Sequence, residues 1–398
     1  SRSKLPDGAV AGRTTAREGG VAGQSRSWLL HLPAAYRLLG RPMPLVMAAH
    51  GLMSSAADYA AKSGLAESAE REGFIVVFPD GVADNYGCTH GPFRSWNAGG
   101  SSYSVGTEGP TCNERAQEKI NASSNYFASC PADSTCALTT CTNDITPTGV
   151  GMNSTGFLPA LLDLLGDELC LDRSRIYATG FSNGGMVAYQ LGVTLGHRLA
   201  AVAPTAGNFI LGFAQSPPVP VPLLDIHGFS DRTIPCNQSV SCHDFNFELI
   251  QHVLLGWTRA NGCRDAGTPR LAHWKTDLDG ISELYCVSEG SDCAAPVVRC
   301  GWSGGHDYFA SNGTLHNMLV WSFLSKFSKT RDWLMDGQLA GRMAKVTKQQ
   351  ELEVDLAQRS TWSAVGGCLF AAALATLLLV ATGRVHRLGG SVATPLLA

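Results

Sequence analysis

Residues 175–192 read RIYATGFSNGGMVAYQLG. The run 175–179 has strand character, and 185–195 (GMVAYQLGVTL) has helical spacing. Between them stands Gly180-Phe181-Ser182-Asn183-Gly184. A serine on a sharp turn between a strand and a helix is exposed at the strand's carboxyl end. Glycines on either side let the strand and the helix approach closely. The five-residue pattern alone is weak, because glycine supplies 44 of 398 residues and a second match occurs at 301–305 (GWSGG). Ser303 in that second match is followed by HDYFASNG, which is poor helix sequence. The context therefore selects Ser182 and leaves Ser303 in a glycine-rich loop that presents His306.

Working outward, short apolar runs at 28–32, 45–49, 74–78, 176–179, 199–203 and 221–226 alternate with stretches of helical spacing at 56–72 and 156–168. This rhythm predicts a mostly parallel sheet covered by helices. Further helices are expected at 247–261 and at 321–327, and a strand at 296–299.

A serine nucleophile needs a base to take its proton and an acid to hold that base in one tautomer. In this strand–turn–helix context, the acid and then the histidine follow the serine in the chain. Asp231 lies in the loop HGFSD (227–231), just beyond the 221–226 run. Asp225 is a rival, but it falls inside the run. His306 lies in a Gly-Gly-His loop before the last helix, with His316 as the fallback. His243, His252 and His273 read as surface or packing residues. An oxyanion hole requires two backbone N–H donors. Asn183 follows the nucleophile, and Leu52 follows the run 45–49 in the loop His50-Gly51-Leu52. His50 precedes the serine and is assigned to shaping that loop.

Composition narrows the alternatives. Hydrophobic residues make up 44% and charged residues 16%, as in a globular chain. The net charge of -3 without a long basic run gives no support to a nucleic-acid binder, and no nucleic-acid partner is expected. Thirteen cysteines, twelve of them between Cys88 and Cys300, point to disulfides formed in an oxidising compartment. No Cys-x-x-Cys is present, which argues against a zinc ribbon, and neither a metal nor another cofactor is expected. Sequons begin at Asn121, Asn153, Asn237 and Asn312 and agree with secretion. The stretch 363–382 (SAVGGCLFAAALATLLLVAT) has no charge and is long enough to span a bilayer. Basic residues flank it on both sides, so they do not orient it.

The expected organisation is a flexible leader at 1–24, a catalytic domain at 25–327, a juxtamembrane stalk at 328–360, a transmembrane helix at 361–383 and a short tail at 384–398. Within the domain, 87–151 is a polar, cysteine-rich insertion, and 236–300 is a second cysteine-rich stretch. The expected location is the secretory pathway, with the domain extracellular or luminal and anchored at its C-terminal end.

The stretches PLVMAAHG (44–51), SWNAG (95–99), RIYATGFSNGGMVAYQLG (175–192), LAAVAPTAG (199–207), IHGFSDRTIP (226–235), NGC (261–263) and GGHDYF (304–309) occur in one order. Together they resemble the secreted feruloyl-esterase and polyhydroxybutyrate-depolymerase group of carbohydrate-esterase-like α/β-hydrolases. The resemblance covers about 28–327. It implies an α/β-hydrolase fold with a Ser182–Asp231–His306 triad, the same three residues that chain order selects. Three features depart from the group: Asp307-Tyr308 where a tryptophan often follows the histidine, the insertion around 112–141, and the C-terminal membrane span. The implied activity is hydrolysis of a feruloyl or similar ester on polysaccharide through an acyl-enzyme. Depolymerisation of a short polyester is the alternative, and a non-catalytic membrane-anchored binding ectodomain is the alternative of another class. Trp96, Phe181, Trp302 and Tyr308 are the candidate substrate-binding aromatics.

Overall fold

The computed structural model describes residues 10–21, 24–83, 94–96, 98–99, 156–210, 214–242, 247–266, 272–274, 276, 278, 284–309 and 312–329. Their strands are β1 (Arg13–Val21), β2 (Gln24–Leu32), β3 (Met43–Ala49), β4 (Ile75–Pro79), β5 (Val82–Ala83), β6 (Arg94–Ser95), β7 (Leu171–Phe181), β8 (Ala201–Thr205), β9 (Leu223–Gly228), β10 (Ala272–His273), β11 (Tyr285–Ser288) and β12 (Val297–Trp302). Their helices are α1 (Ala35–Leu39), α2 (Ala56–Ser63), α3 (Leu65–Glu72), α4 (Phe157–Glu168), α5 (Asn183–Thr194), α6 (Ile250–Ala260) and α7 (Gly313–Leu324). Ten strands form one sheet in the order β1-β2-β4-β3-β7-β8-β9-β12-β11-β10. The six from β4 to β12 run parallel, and the outer strands are antiparallel. This is an α/β-hydrolase fold.

The sheet is covered on both faces, which is why β3 (MPLVMAA) and β4 (IVVFP) carry no polar residue. All of β3 is buried. Its residues Leu45, Met47 and Ala49 pack with Leu161, Val187 and Trp257 from α4, α5 and α6. Val46 and Ala48 point the other way, toward Tyr59, Ala69 and Leu319 from α2, α3 and α7. The segment 56–72, expected as one helix, is broken at Gly64, which takes φ +69 at the joint between α2 and α3.

Three expectations are corrected. Residues 13–21 of the expected flexible leader form β1, paired in register with β2 from Arg13↔Leu32 to Val21↔Gln24. Alternation along β1 was hidden in the sequence because its inward positions are small or amphipathic. Secondly, the cysteines are not all paired. Among the described residues Cys263–Cys293 and Cys286–Cys300 are disulfides, whereas Cys170, Cys236 and Cys242 are free. The free thiol of Cys170 sits at the α4–β7 junction, where its backbone N–H donates to the Tyr36 hydroxyl. Thirdly, the last helix begins at Gly313 rather than near 321, because the Asn312 side chain caps it by accepting from the N–H groups of Thr314 and Leu315.

The insertion at 87–151 lies largely outside the described residues, and the stalk, membrane span and tail expected at 328–398 lie almost wholly outside them. Among the described residues no helix is long and apolar enough to cross a membrane. The sequons at Asn237 and Asn312 are both exposed.

Asn261 closes the end of the sheet farthest from the serine. It is fully buried, accepts from Val221 N–H, and donates to the carbonyls of Val221 and Ala295. Asn261→Ala strands these groups and should lower unfolding stability by about 3 kcal/mol, read as a drop in the urea midpoint.

Candidate active site

Ser182 stands between β7 and α5 with φ 58 and ψ -122, a backbone conformation that costs energy for any residue with a Cβ. Its N–H is held by the Thr205 carbonyl at 2.9 Å, and its carbonyl accepts from Met186 N–H at 3.0 Å. A Cβ at Gly184 would collide with the Ala49 carbonyl at the end of β3. The glycine after the serine is therefore what lets α5 start directly against two strand ends.

The structure brings Ser182, His306 and Asp231 together from the carboxyl ends of β7, β12 and β9. His306 Nε2 lies 2.9 Å from Ser182 Oγ, and His306 Nδ1 lies 2.7 Å from Asp231 Oδ2. A carboxylate can only accept, so Nδ1 carries the proton and Nε2 accepts from the serine hydroxyl. The second carboxylate oxygen of Asp231 accepts from Thr233 N–H at 2.8 Å and Ile234 N–H at 2.9 Å. The Asp231 side chain is shielded from solvent, while the His306 side chain keeps 19% of its surface. Ser303 serves the loop, its carbonyl accepting from the Ser230 hydroxyl.

The loop after β3 lies against the serine. A Cβ on Gly51 would stand 3.3 Å from both the Phe181 carbonyl and Ser182 Cβ. His50, fully buried, donates from Nδ1 to the Gly51 carbonyl at 2.7 Å and accepts at Nε2 from Gly81 N–H at 3.0 Å. Burial pushes its pKa down, so it stays neutral and keeps the tautomer this loop needs. Leu52 follows it, and Asn183 opens α5 on the other side.

Of the four candidate aromatics, Phe181 and Tyr308 are half-buried, with the Phe181 ring 5.0 Å from His306 and 4.9 Å from Tyr308, whose ring also lies 5.1 Å from His316. The other two are corrected. Trp96 has no exposed surface. Its backbone exchanges hydrogen bonds with the Asn183 amide at 2.7 and 3.2 Å, and its indole donates to the His50 carbonyl at 2.9 Å. It ties the His50 loop to the start of α5 rather than facing a ligand. Trp302 is only 6% exposed and packs against Phe309.

The rival residues sit elsewhere. Asp225 is inside β9, bonded to Tyr189 and His227. His316 lies on α7 with Nε2 3.0 Å from Thr205 Oγ1, under the strand end whose carbonyl holds Ser182. His252 is an exposed partner of Glu248, and His243 lies outside the described residues. Among the described residues no group of histidines, cysteines and carboxylates is arranged to hold a metal.

This arrangement, a serine elbow with histidine and aspartate at the carboxyl ends of a parallel sheet, defines the α/β-hydrolase class. The Phospholipase/Carboxylesterase family matches residues 152–257. Probable feruloyl esterase C of Aspergillus clavatus is 29% identical over 162 residues, covering 39% of this chain and 51% of that protein. Feruloyl esterase B of Piromyces equi is 24% identical over 274 residues, covering 65% of this chain and 41% of that protein. An acetyl xylan esterase structure from Aspergillus awamori aligns with a TM-score of 0.45 and 15% identity, covering 73% of this chain and 94% of that one. The chain resembles the feruloyl-esterase group, and it spans about half the length of the curated relatives it matches.

Burial drives the pKa of His316 down to about 4. The unfolded chain takes up a proton near pH 6.5 that the folded chain refuses until about 4, so His316 makes stability fall as pH drops across that window. A urea-midpoint series from pH 7 to 4 should show a flatter acid decline for His316→Leu than for the parent.

Proposed function

We propose that this chain is a serine carboxylic-ester hydrolase of feruloyl-esterase-like specificity. The observation that carries the reading is the continuous hydrogen-bonded series from Ser182 through His306 to Asp231, at 2.9 and 2.7 Å. Ser182 Oγ attacks the ester carbonyl while His306 Nε2 takes its proton. Asp231 holds the Nδ1 proton and stabilises the imidazolium. The tetrahedral oxyanion receives the N–H groups of Asn183 and Leu52. Collapse expels the alcohol, which takes the proton from His306, and leaves an acyl-enzyme. Water, deprotonated by the same nitrogen, then releases the acid and regenerates the serine.

Phe181, tilted against both the His306 ring and Tyr308, supplies an aromatic surface next to the histidine that would suit an aromatic acyl group, and the likeness to proteins named feruloyl esterases supports that acyl class. Polysaccharide-linked esters are the proposed substrates. The two disulfides support the secretory compartment. The segment 361–383 is proposed as the membrane anchor on its sequence alone.

The deciding comparison sets the full chain against Ser182→Ala on methyl ferulate and on nitrophenyl acetate. Loss of the nucleophile should cut kcat/KM by about 1,000-fold or more on whichever ester is turned over. A folded parent that is inert on both esters and does not react with a fluorophosphonate is instead a binding ectodomain. His50→Ala, which unties the loop carrying Leu52, should lower kcat by about 100-fold with little change in KM.

A further inference from the structure

Beneath the relay lies a second aspartate–histidine pair that takes no part in it. Asp225 and His227 both lie on β9, with 0% and 2% of their surface exposed. His227 Nδ1 is 3.2 Å from Asp225 Oδ1. The Tyr189 hydroxyl, reaching across from α5, donates to the same oxygen at 2.8 Å. His227 Nε2 is 3.1 Å from the carbonyl oxygen of Ile234.

Both ring nitrogens therefore face oxygen acceptors. A neutral imidazole has one N–H and one lone pair. Placed here it would press a lone pair against either a carboxylate or a carbonyl oxygen, out of reach of water. The carbonyl can never supply a proton, so Nε2 must carry one. The remaining contact needs a second proton between Nδ1 and a carboxylate oxygen that already accepts from Tyr189.

We infer that His227 is a buried imidazolium paired with Asp225, and that it is a positioning residue for the Asp231 carboxylate. The positioning half rests on the catalytic reading of Ser182, His306 and Asp231. The physical link is one residue long. The residue whose carbonyl His227 grips, Ile234, offers its own N–H to Asp231 Oδ1 at 2.9 Å. Asp231 N–H returns to the Gly228 carbonyl at 3.1 Å, so the turn 228–234 is fastened at both ends to β9. Asp231 also stands near enough to His227 for its charge to favour the imidazolium.

The surrounding charges agree. Burial by itself would strip the proton from His227, but the Asp225 carboxylate, its hydrogen bond and the Asp231 charge outweigh that and raise the pKa above the ordinary histidine value. Tyr189 is held well above the ordinary tyrosine value, first by burial and then by Asp225, so it remains a donor. The Cys236 thiol is pushed up to about 11, first by burial, and stays neutral. From β12, Arg299 is paired at 3.0 Å with Glu289.

The test is nitrogen-15 NMR of the histidine rings in the full chain, with His227 assigned by its loss in His227→Gln. The expected spectrum shows both His227 nitrogens protonated from about pH 6 to pH 8, where an ordinary histidine loses its charge. A neutral ring in that range overturns the imidazolium. For the positioning half, His227→Gln and Asp225→Asn should each slow fluorophosphonate labelling of Ser182 by about 100-fold, with KM for nitrophenyl acetate unchanged. In Asp225→Asn the ring should also turn neutral. Either variant, folded and labelled at the parental rate, overturns the positioning role, and if one does not fold the other decides. A parent that never reacts with the fluorophosphonate overturns the catalytic reading and the positioning half with it, while its spectrum separately decides the imidazolium.

Discussion

The whole site depends on one steric constraint, the contact between the start of α5 and the ends of β3 and β8. Ser182 occupies a left-handed conformation because its N–H is fixed to the Thr205 carbonyl while α5 must begin one residue later. That start is possible only where residue 184 has no side chain, since the Ala49 carbonyl fills the space a Cβ would need. The strain is borne by what surrounds it. α5 is buried over most of its length, and the strands on both sides of β7 are parallel and closed to water. A local cost of about 1–3 kcal/mol is small against burial on that scale.

Local rules made the framework legible. The parallel strands and the helices on either face follow from apolar runs bounded by glycine, proline and aspartate. Ser182, Asp231 and His306 could be picked out because chain order and strand ends constrain them without reference to contacts. The rest depends on partners far away in the chain. Trp96 looked like a ligand-facing aromatic, yet its polar partners include the Asn183 side chain, 87 residues away, and the His50 carbonyl. Nothing near Trp96 in the sequence announces either. β1 was missed for the opposite reason. Its residues (RTTAREGGV) carry charge and glycine, and it is a strand because β2 offers nine residues in register.

Asn261 and His227 mark a third limit. Both stand in stretches that the resemblance singled out, NGC and IHGFSD, but a motif gives residue types and not hydrogen-bond partners. The Asn261 side chain satisfies three backbone groups at the far end of the sheet. His227 satisfies one group near the reacting end. A buried polar side chain is tolerable only when its partners are supplied, so both positions are constrained by geometry that the sequence does not display.

The two aspartate–histidine pairs illustrate how identical residue types are given opposite tasks. In each, Nδ1 faces a carboxylate at hydrogen-bond distance. The difference lies at the other nitrogen. His306 Nε2 faces a hydroxyl, which can donate or accept, and the ring is partly open to solvent, so its proton inventory can change as the proposed mechanism requires. His227 Nε2 faces a carbonyl, which only accepts, and the ring is sealed. The first arrangement allows a base and the second forbids one. The mobile proton of the proposed mechanism is thus confined to one pair by the choice of oxygen opposite each Nε2, and the immobile proton of the other pair holds the turn that keeps Asp231 in place.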